Sequence, residues 1–217
     1  MRFAKELKNN RKALERASRK KDIMEIALKL FAERDFHEVT VDDIAERVGL
    51  SKGTLYLYFD SKEHLFMSIL EEKTNEFYRR LSEAVGGEEP FLTRLENYCR
   101  TFLGFFEEHK PYYKIIHCEK TRAHMEPRDG FQNLVMASFA QFDDLLRRLI
   151  KDGRAAGILR DTDTAMMTKM LRGLLNQVAF HNVFSGEDES LLDKIPSIMD
   201  HFLNGAKVNS NTDREDV

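Results

Sequence analysis

The chain has 217 residues, 42% hydrophobic and 33% charged, a balance that fits a globular protein with a full core and excludes a disordered one. Two cysteines, Cys99 and Cys118, exclude a disulfide framework and a multi-cysteine zinc site; no apolar run approaches the ~20 residues that span a bilayer. The net charge of −3 averages over a gradient, because residues 1–21 hold nine basic and two acidic side chains while residues 63–217 are net −6.

A basic end on an acidic body is the footprint of a chain whose one end meets a polyanion. The first 18 residues form a basic arm, with Phe3, Leu7 and Leu14 at spacings compatible with one helix face. The opening residues lack the apolar stretch of a signal peptide, so a cytoplasmic location is expected. Ile23, Ala27, Leu30 and Phe31 repeat at helical spacing and predict a helix from about Arg19 to Arg34, with Asp35 at its end. Short helices are expected near 41–48 and 52–58, and a longer one over 61–84 that stops at Gly86-Gly87. Further helices are expected near 89–108, 111–123, 128–156, 163–184 and 188–205, with Pro90, Pro111, Pro127 and Pro196 at or near their starts. No convincing alternating strand pattern appears. The fold class is all-α, and the polar residues 208–217 read as a frayed tail.

The sharpest signal lies between Val39 and Leu65. Thr40 is an N-cap candidate with Asp43 three residues on, Ser51 is the next, and Asp60 with Glu63 reads as the third. Two two-turn helices joined by a tight turn at Gly49 make a helix-turn-helix, held by Ile44, Ala45, Val48, Leu50, Leu55 and Phe59. The second of them, Ser51-Lys-Gly-Thr-Leu-Tyr-Leu-Tyr-Phe59, carries a glycine in its first turn and two tyrosines. Glycine permits close approach of another molecule's surface. Lys52, Thr54, Tyr56 and Tyr58 supply a cation and three hydroxyls beside free helical N–H groups, a chemistry that suits phosphates and base edges.

Residues 19–66 resemble the DNA-binding domain of the tetracycline-repressor family. The resemblance rests on Ile26-Ala27, Leu30-Phe31-Ala32, Val39-Thr40-Val41-Asp42-Asp43-Ile44-Ala45, Val48-Gly49-Leu50-Ser51-Lys52-Gly53-Thr54-Leu55-Tyr56, Tyr58-Phe59 and Ser61-Lys62-Glu63-His64-Leu65. It implies a homodimer on a palindromic operator, a repressor released by a small ligand. By position it implies that Thr40, Ser51 and Lys52 contact phosphate. Gly53, Thr54 and Tyr56 would approach bases, and Tyr58 and Lys62 would hold the DNA backbone again. The domain organisation expected is a basic arm over 1–18, the helix-turn-helix domain over 19–66, a helical ligand-binding and dimerisation domain over 67–207, and a tail.

The second half is richer in aromatics than a bundle needs. Phe91, Leu95, Tyr98, Phe102 and Phe105 share one face near 89–108, and Phe131, Leu134, Val135, Phe142 and Leu145 another near 128–156. Such stripes build either a phenylalanine core or an apolar ligand cavity. The candidate ligand residues are Tyr98, Phe102, Phe106, Tyr113, His117, Met136, Phe139, Asn176 and Phe180, and the effector expected is hydrophobic or acyl-type. His124, Gln177 and His181 are further polar residues in this apolar setting. The helices near 163–184 and 188–205 are apolar nearly all round, which calls for cover on both sides. They suggest a four-helix dimer interface built from Met167, Leu171, Leu174, Val178, Leu191, Ile195, Ile198 and Phe202, where the family also places one.

No Gly-rich phosphate loop, nucleophile elbow or paired carboxylate constellation appears, so no enzyme, cofactor or metal is expected. Glu107-Glu108 and Asp143-Asp144 read as solvated pairs. The partners expected are duplex operator DNA, a small-molecule effector and a second copy, with no membrane. The alternative is a helical adaptor or a non-responsive DNA-binding factor with a filled C-terminal core.

Overall fold

The computed structural model describes residues 2–123, 129–186 and 189–205, with residues 2–9, 119–123, 129–136 and 139 described through their backbone. Among these residues the elements are all helical: α1 Arg2–Glu33, α2 Val41–Val48, α3 Lys52–Tyr56, α4 Lys62–Val85 and α5 Phe91–Glu108, then α6 Lys110–Ala123, α7 Asp129–Ala155, α8 Thr164–Ser185 and α9 Ile195–Asn204, the last entered through one 3₁₀ turn at Leu191–Lys194. The basic arm read over 1–18 lies, from Arg2 on, within α1, which runs unbroken to Glu33. Contacts group the chain into two compact units, Met1–Glu76 with His109–Met136 and Phe77–Glu108 with Ala137–Val217. The division falls inside α4 after Glu76, and α4 itself runs unbroken across the 66/67 boundary read from the sequence.

Local chemistry sets the ends of the short helices. Thr40 caps α2 with a full capping box: its hydroxyl accepts from the Asp43 N–H at 3.1 Å, and the Asp43 carboxylate accepts from the Thr40 N–H at 2.8 Å. Gly49 closes α2 in the left-handed conformation at φ 71°, with its own N–H and that of Leu50 returned to carbonyls of α2. Ser51 caps α3 by accepting from the Thr54 N–H at 3.2 Å.

Two expected ends fall differently. Asp35 does not adopt a left-handed conformation, since every positive-φ residue described is glycine. Its carboxylate instead accepts from the His37 N–H at 2.9 Å and folds the connection into an Asx turn. The cap of α4 is Ser61, whose Oγ accepts from the His64 N–H at 3.0 Å, and His64 Nδ1 in turn accepts from the Asp60 N–H. The cap is thus one residue later than the expected Asp60, and His64 in place of Glu63 holds the backbone before it.

The core of the first unit gathers Ile23, Ala27, Leu30 and Phe31 of α1, Ile44 and Ala45 of α2, Leu55 and Phe59, and Leu65, Phe66, Ile69 and Leu70 of α4, all buried. Each large apolar side chain so buried contributes about 1.5–3 kcal/mol. Phe66 meets Phe31 edge-on at 5.1 Å and Phe36 at 4.8 Å, which seats the α1–α2 connection on α4. In the same unit Tyr112 of α6 shares a buried 2.8 Å hydrogen bond with Thr74 of α4.

The second unit is built around a phenylalanine cluster. Phe77 stacks on Phe105 at 4.6 Å and meets Phe102, Phe106 and Phe142 within 5.4 Å. Gly153 of α7 lets the Phe91 ring lie against the backbone, since a Cβ there would fall 2.5 Å from the ring. The adjacent carboxylates are not simply solvated. Glu107 accepts from the Leu191 N–H at 3.0 Å and caps the 3₁₀ turn, Glu108 pairs with Arg80, and Asp143 pairs with Arg172 of α8. Donors lie within reach of Glu107, Glu108 and Asp143 once the chain folds, and adjacency in sequence gave no sign of them.

Candidate nucleic-acid interface

The exposed edge of the first unit is formed by α3 and the turns on either side. Leu55 and Phe59 point inward and anchor it, leaving Ser51, Lys52, Gly53 and Tyr56 exposed, Thr54 partly so, and Tyr58 half-buried. Tyr56 is 44% exposed, with no role in the core. Gly53 has no atom within 4 Å of the position a Cβ would take. No neighbour inside the protein excludes a side chain there.

Charge on this edge is held in reserve. Lys52 Nζ pairs with Asp42 at 2.8 Å, both well exposed, and that carboxylate raises the lysine's pKa above its ordinary value. An exposed pair of this kind contributes little to stability, and its ammonium can exchange Asp42 for a phosphate. Thr40 donates its hydroxyl to Asp43 Oδ2 at 2.8 Å and stays at the surface, so the α2 cap lies on the exposed edge.

Lys62 is engaged by the fold. Its ammonium donates to the carbonyls of Phe36 and Val39, both at 2.7 Å, and lies over the Phe36 ring at 4.3 Å. It ties the α1–α2 connection to α4, a structural role beside the DNA-backbone contact expected for it. The first turn of α4 starts beside the carbonyls of Phe36 and Val39 in the α1–α2 connection, and a lysine stem reaches both.

Sequence reasoning missed Arg16. Its guanidinium donates to the Leu57 carbonyl at 2.7 Å and faces the Tyr58 ring at 5.7 Å, while Lys20 lies over Phe59 at 5.1 Å. The available signal was the spacing of Lys12, Arg16 and Lys20, four residues apart on one face of α1.

The ligand candidates fall in both units. In the second, Tyr98, Phe102 and Phe106 are buried, Phe102 lying 6.3 Å from Tyr98 and 5.1 Å from Phe106. Burial pushes the Tyr98 hydroxyl far above the usual tyrosine range. Asn176 donates to the Arg172 carbonyl within α8, and Phe180 packs on Phe184 at 4.7 Å. Tyr113 and His117 lie in the first unit, 6.1 Å apart. His124 and the side chains of Met136 and Phe139 lie outside the described residues.

The dimer candidates divide by face. Leu171, Leu191, Ile195 and Ile198 are buried inside their own unit. Met167, Val178 and Phe202 are partly covered. The outward stripe of α8 is instead Met166, Met170, Leu174 and Phe184, 38–58% exposed, with Gly173 between them and open space at its Cβ position. Periodicity could not choose between two apolar faces of one helix.

A capped helix-turn-helix with an exposed, glycine-bearing second helix, in a chain whose described elements are all helical, is the architecture of a DNA-binding transcription regulator. Residues 23–69 match the bacterial regulatory proteins of the tetR family, and residues 88–180 match the tetracyclin repressor-like C-terminal domain. The chain belongs to the tetracycline-repressor family of transcriptional regulators. It is 21% identical over 183 residues to the fatty acid metabolism regulator protein of Bacillus subtilis (strain 168), covering 84% of this chain and 93% of that one. The regulator FadR from Bacillus subtilis, solved in complex with stearoyl-CoA, shares the fold at TM-score 0.71 and 19% identity, over 86% of this chain and 98% of that one. The ketosteroid regulator KstR2 of Mycobacterium tuberculosis shares it at TM-score 0.72 and 22% identity, over 88% and 96%. No described helix is long and apolar enough to cross a membrane.

Proposed function

We propose that the chain acts as a homodimeric repressor on a palindromic operator and is released by a hydrophobic ligand of acyl or steroid type. The observation that carries the DNA reading is the open space at Gly53 beside exposed Ser51, Lys52 and Tyr56. Bases are approached by Gly53, Thr54 and Tyr56, and phosphates by Thr40, Ser51, Lys52 and Tyr58. Dimer formation buries the Met166, Met170, Leu174 and Phe184 stripe of α8, an apolar face that a lone protomer would leave in water. The ligand class is supported by the aromatic second unit and by two relatives of the same fold, one solved with stearoyl-CoA and one described as a ketosteroid regulator. The test is a mobility shift with the DNA upstream of the protein's own gene, followed by addition of stearoyl-CoA or of a steroid. Retardation reversed by one of the two supports the reading; no preference for that DNA over scrambled duplex overturns it.

A second reading keeps the DNA binding and drops the ligand. It is favoured by the close packing of Phe77, Phe102, Phe105, Phe106 and Phe142, whose rings lie against one another. Specific binding that no hydrophobic ligand releases selects it.

A further inference from the structure

The first 18 residues of α1 pose a physical problem. Residues 10–19 are exposed without exception, so this stretch buries nothing in its own chain. Its described side chains form one ion pair along the helix, Arg11 with Glu15 at 2.8 Å. A polar helix with no packed face gains little from propensity alone. Yet its position is fixed at one point, by Arg16 on the Leu57 carbonyl and the Tyr58 ring. That contact sets the extension beside α3 and leaves a groove of about 840 Å³ between them. Lys12, Arg16 and Arg19 border it from α1, and Thr54, Leu57 and Tyr58 from α3 and the turn after it. Two acids also border it, Glu15, which Arg11 holds, and Asp22.

We infer that this groove is a second DNA-backbone site, in which Lys12 and Arg19 grip phosphates flanking the bases that α3 meets. The inference rests on the DNA-binding reading above and adds a separate surface to it. Charge complementarity identifies the occupant: residues 2–21 hold nine basic and two acidic side chains on a chain that is otherwise acidic. Thr54 and Tyr58 connect the two surfaces, since they lie both on α3's exposed edge and in the groove wall. Residues 2–19 extend about 27 Å as a helix, enough to follow roughly eight base-pair steps of one strand. Arg16 is a positioning residue in this arrangement, its guanidinium committed to Leu57.

The test is a salt titration from 50 to 200 mM of duplex binding by the full chain and by a Lys12→Ala/Arg19→Ala variant. Both side chains are exposed, so the fold is left intact. The slope of log affinity against log salt should become shallower by about 2, one contact per residue removed. Affinity should fall by the same factor on operator and on scrambled duplex, leaving their ratio unchanged. Trimming the flanks of the operator duplex should weaken the parent chain and leave the variant indifferent. An unchanged slope, or a loss confined to the operator, overturns the groove as a backbone site while the DNA-binding reading stands. A parent chain with no operator preference overturns that reading itself.

Discussion

Lys62 donates to the carbonyl of Phe36 at 2.7 Å and rests the same ammonium over the Phe36 ring at 4.3 Å. One residue thus offers the lysine both an acceptor and a π-face, and the Val39 carbonyl takes a second proton. Lys52 pairs with an exposed carboxylate at the start of α3, whereas Lys62 holds two backbone carbonyls at the start of α4. Lys62→Met should cost about 2 kcal/mol, a fall of roughly 4–8 °C in Tm, because two carbonyls lose a charged donor. Its salt slope on DNA should match the parent's. Lys52→Ala should do the reverse, with Tm nearly unchanged and a slope shallower by about 1. Equal salt slopes for Lys52→Ala and the parent would sink the phosphate role of Lys52.

Gly53 offers a cleaner separation of stability from recognition. The residue sits in a helical turn with open space where a side chain would go. Gly53→Ala should therefore stabilise the fold by about 0.5–1 kcal/mol through helix propensity. On operator DNA the added methyl should meet the approaching surface, and affinity should drop at least tenfold. Thermal melts and mobility shifts on one preparation decide it: a variant that is both more stable and equally tight would show that nothing approaches Gly53.

What the sequence disclosed, and what it withheld, follows from the range of the interactions. The α2 cap, the Gly49 stop and the Ser51 cap are local, each closed within three or four residues, and their residue types announced them. The aromatic stripe of α5 was visible as period. Lys62, Arg16 and Asp143 have partners 26, 41 and 29 residues away, and no spacing rule reaches that far. The α8 helix failed in another way. Apolar on most sides, it carried two acceptable faces, and only the neighbours that cover Leu171 and Leu175 show which one remains in water.

The capping box gives the first unit an acid limit. Accepting the Thr40 N–H, then the Thr40 hydroxyl and the charge of Arg34, holds the Asp43 carboxyl below its ordinary value of 3.8. A carboxylate whose folded pKa is depressed contributes stability that is present above the unfolded pKa and is lost as pH falls through the folded one. Stability should therefore decline as pH drops below about 4. Asp43→Asn should remove that part of the decline, flattening the acid limb of a Tm-versus-pH curve. A parallel acid limb in the variant would assign the loss to other carboxylates.

The two cysteines should differ sharply in reactivity. Burial, and then the nearby charge of Glu96, pushes the Cys99 thiol up to about 12, and its sulfur lies 4.0 Å from that of Met199. Cys118 is exposed. At pH 8 a disulfide reagent should titrate one thiol promptly in the native protein and the second only on denaturation. Cys118→Ser should abolish the prompt phase. A native Cys99 that reacts at a comparable rate would mean that the second unit opens far more readily than its packing implies.

The outward stripe of α8 makes the sharpest claim about assembly. Met170 and Leu174 are 58% and 38% exposed, so a charge at either is tolerated by the lone protomer. Ile195 is 1% exposed, and a charge there is buried without a partner. Met170→Glu/Leu174→Glu should keep its helical circular dichroism and sediment as a monomer at concentrations where the parent is a dimer. Ile195→Glu should lose cooperative unfolding altogether. The monomeric variant should also bind a palindromic duplex far more weakly than the parent, because two half-sites are then no longer held by one particle. A double variant that sediments with the parent would move the interface off this face of α8.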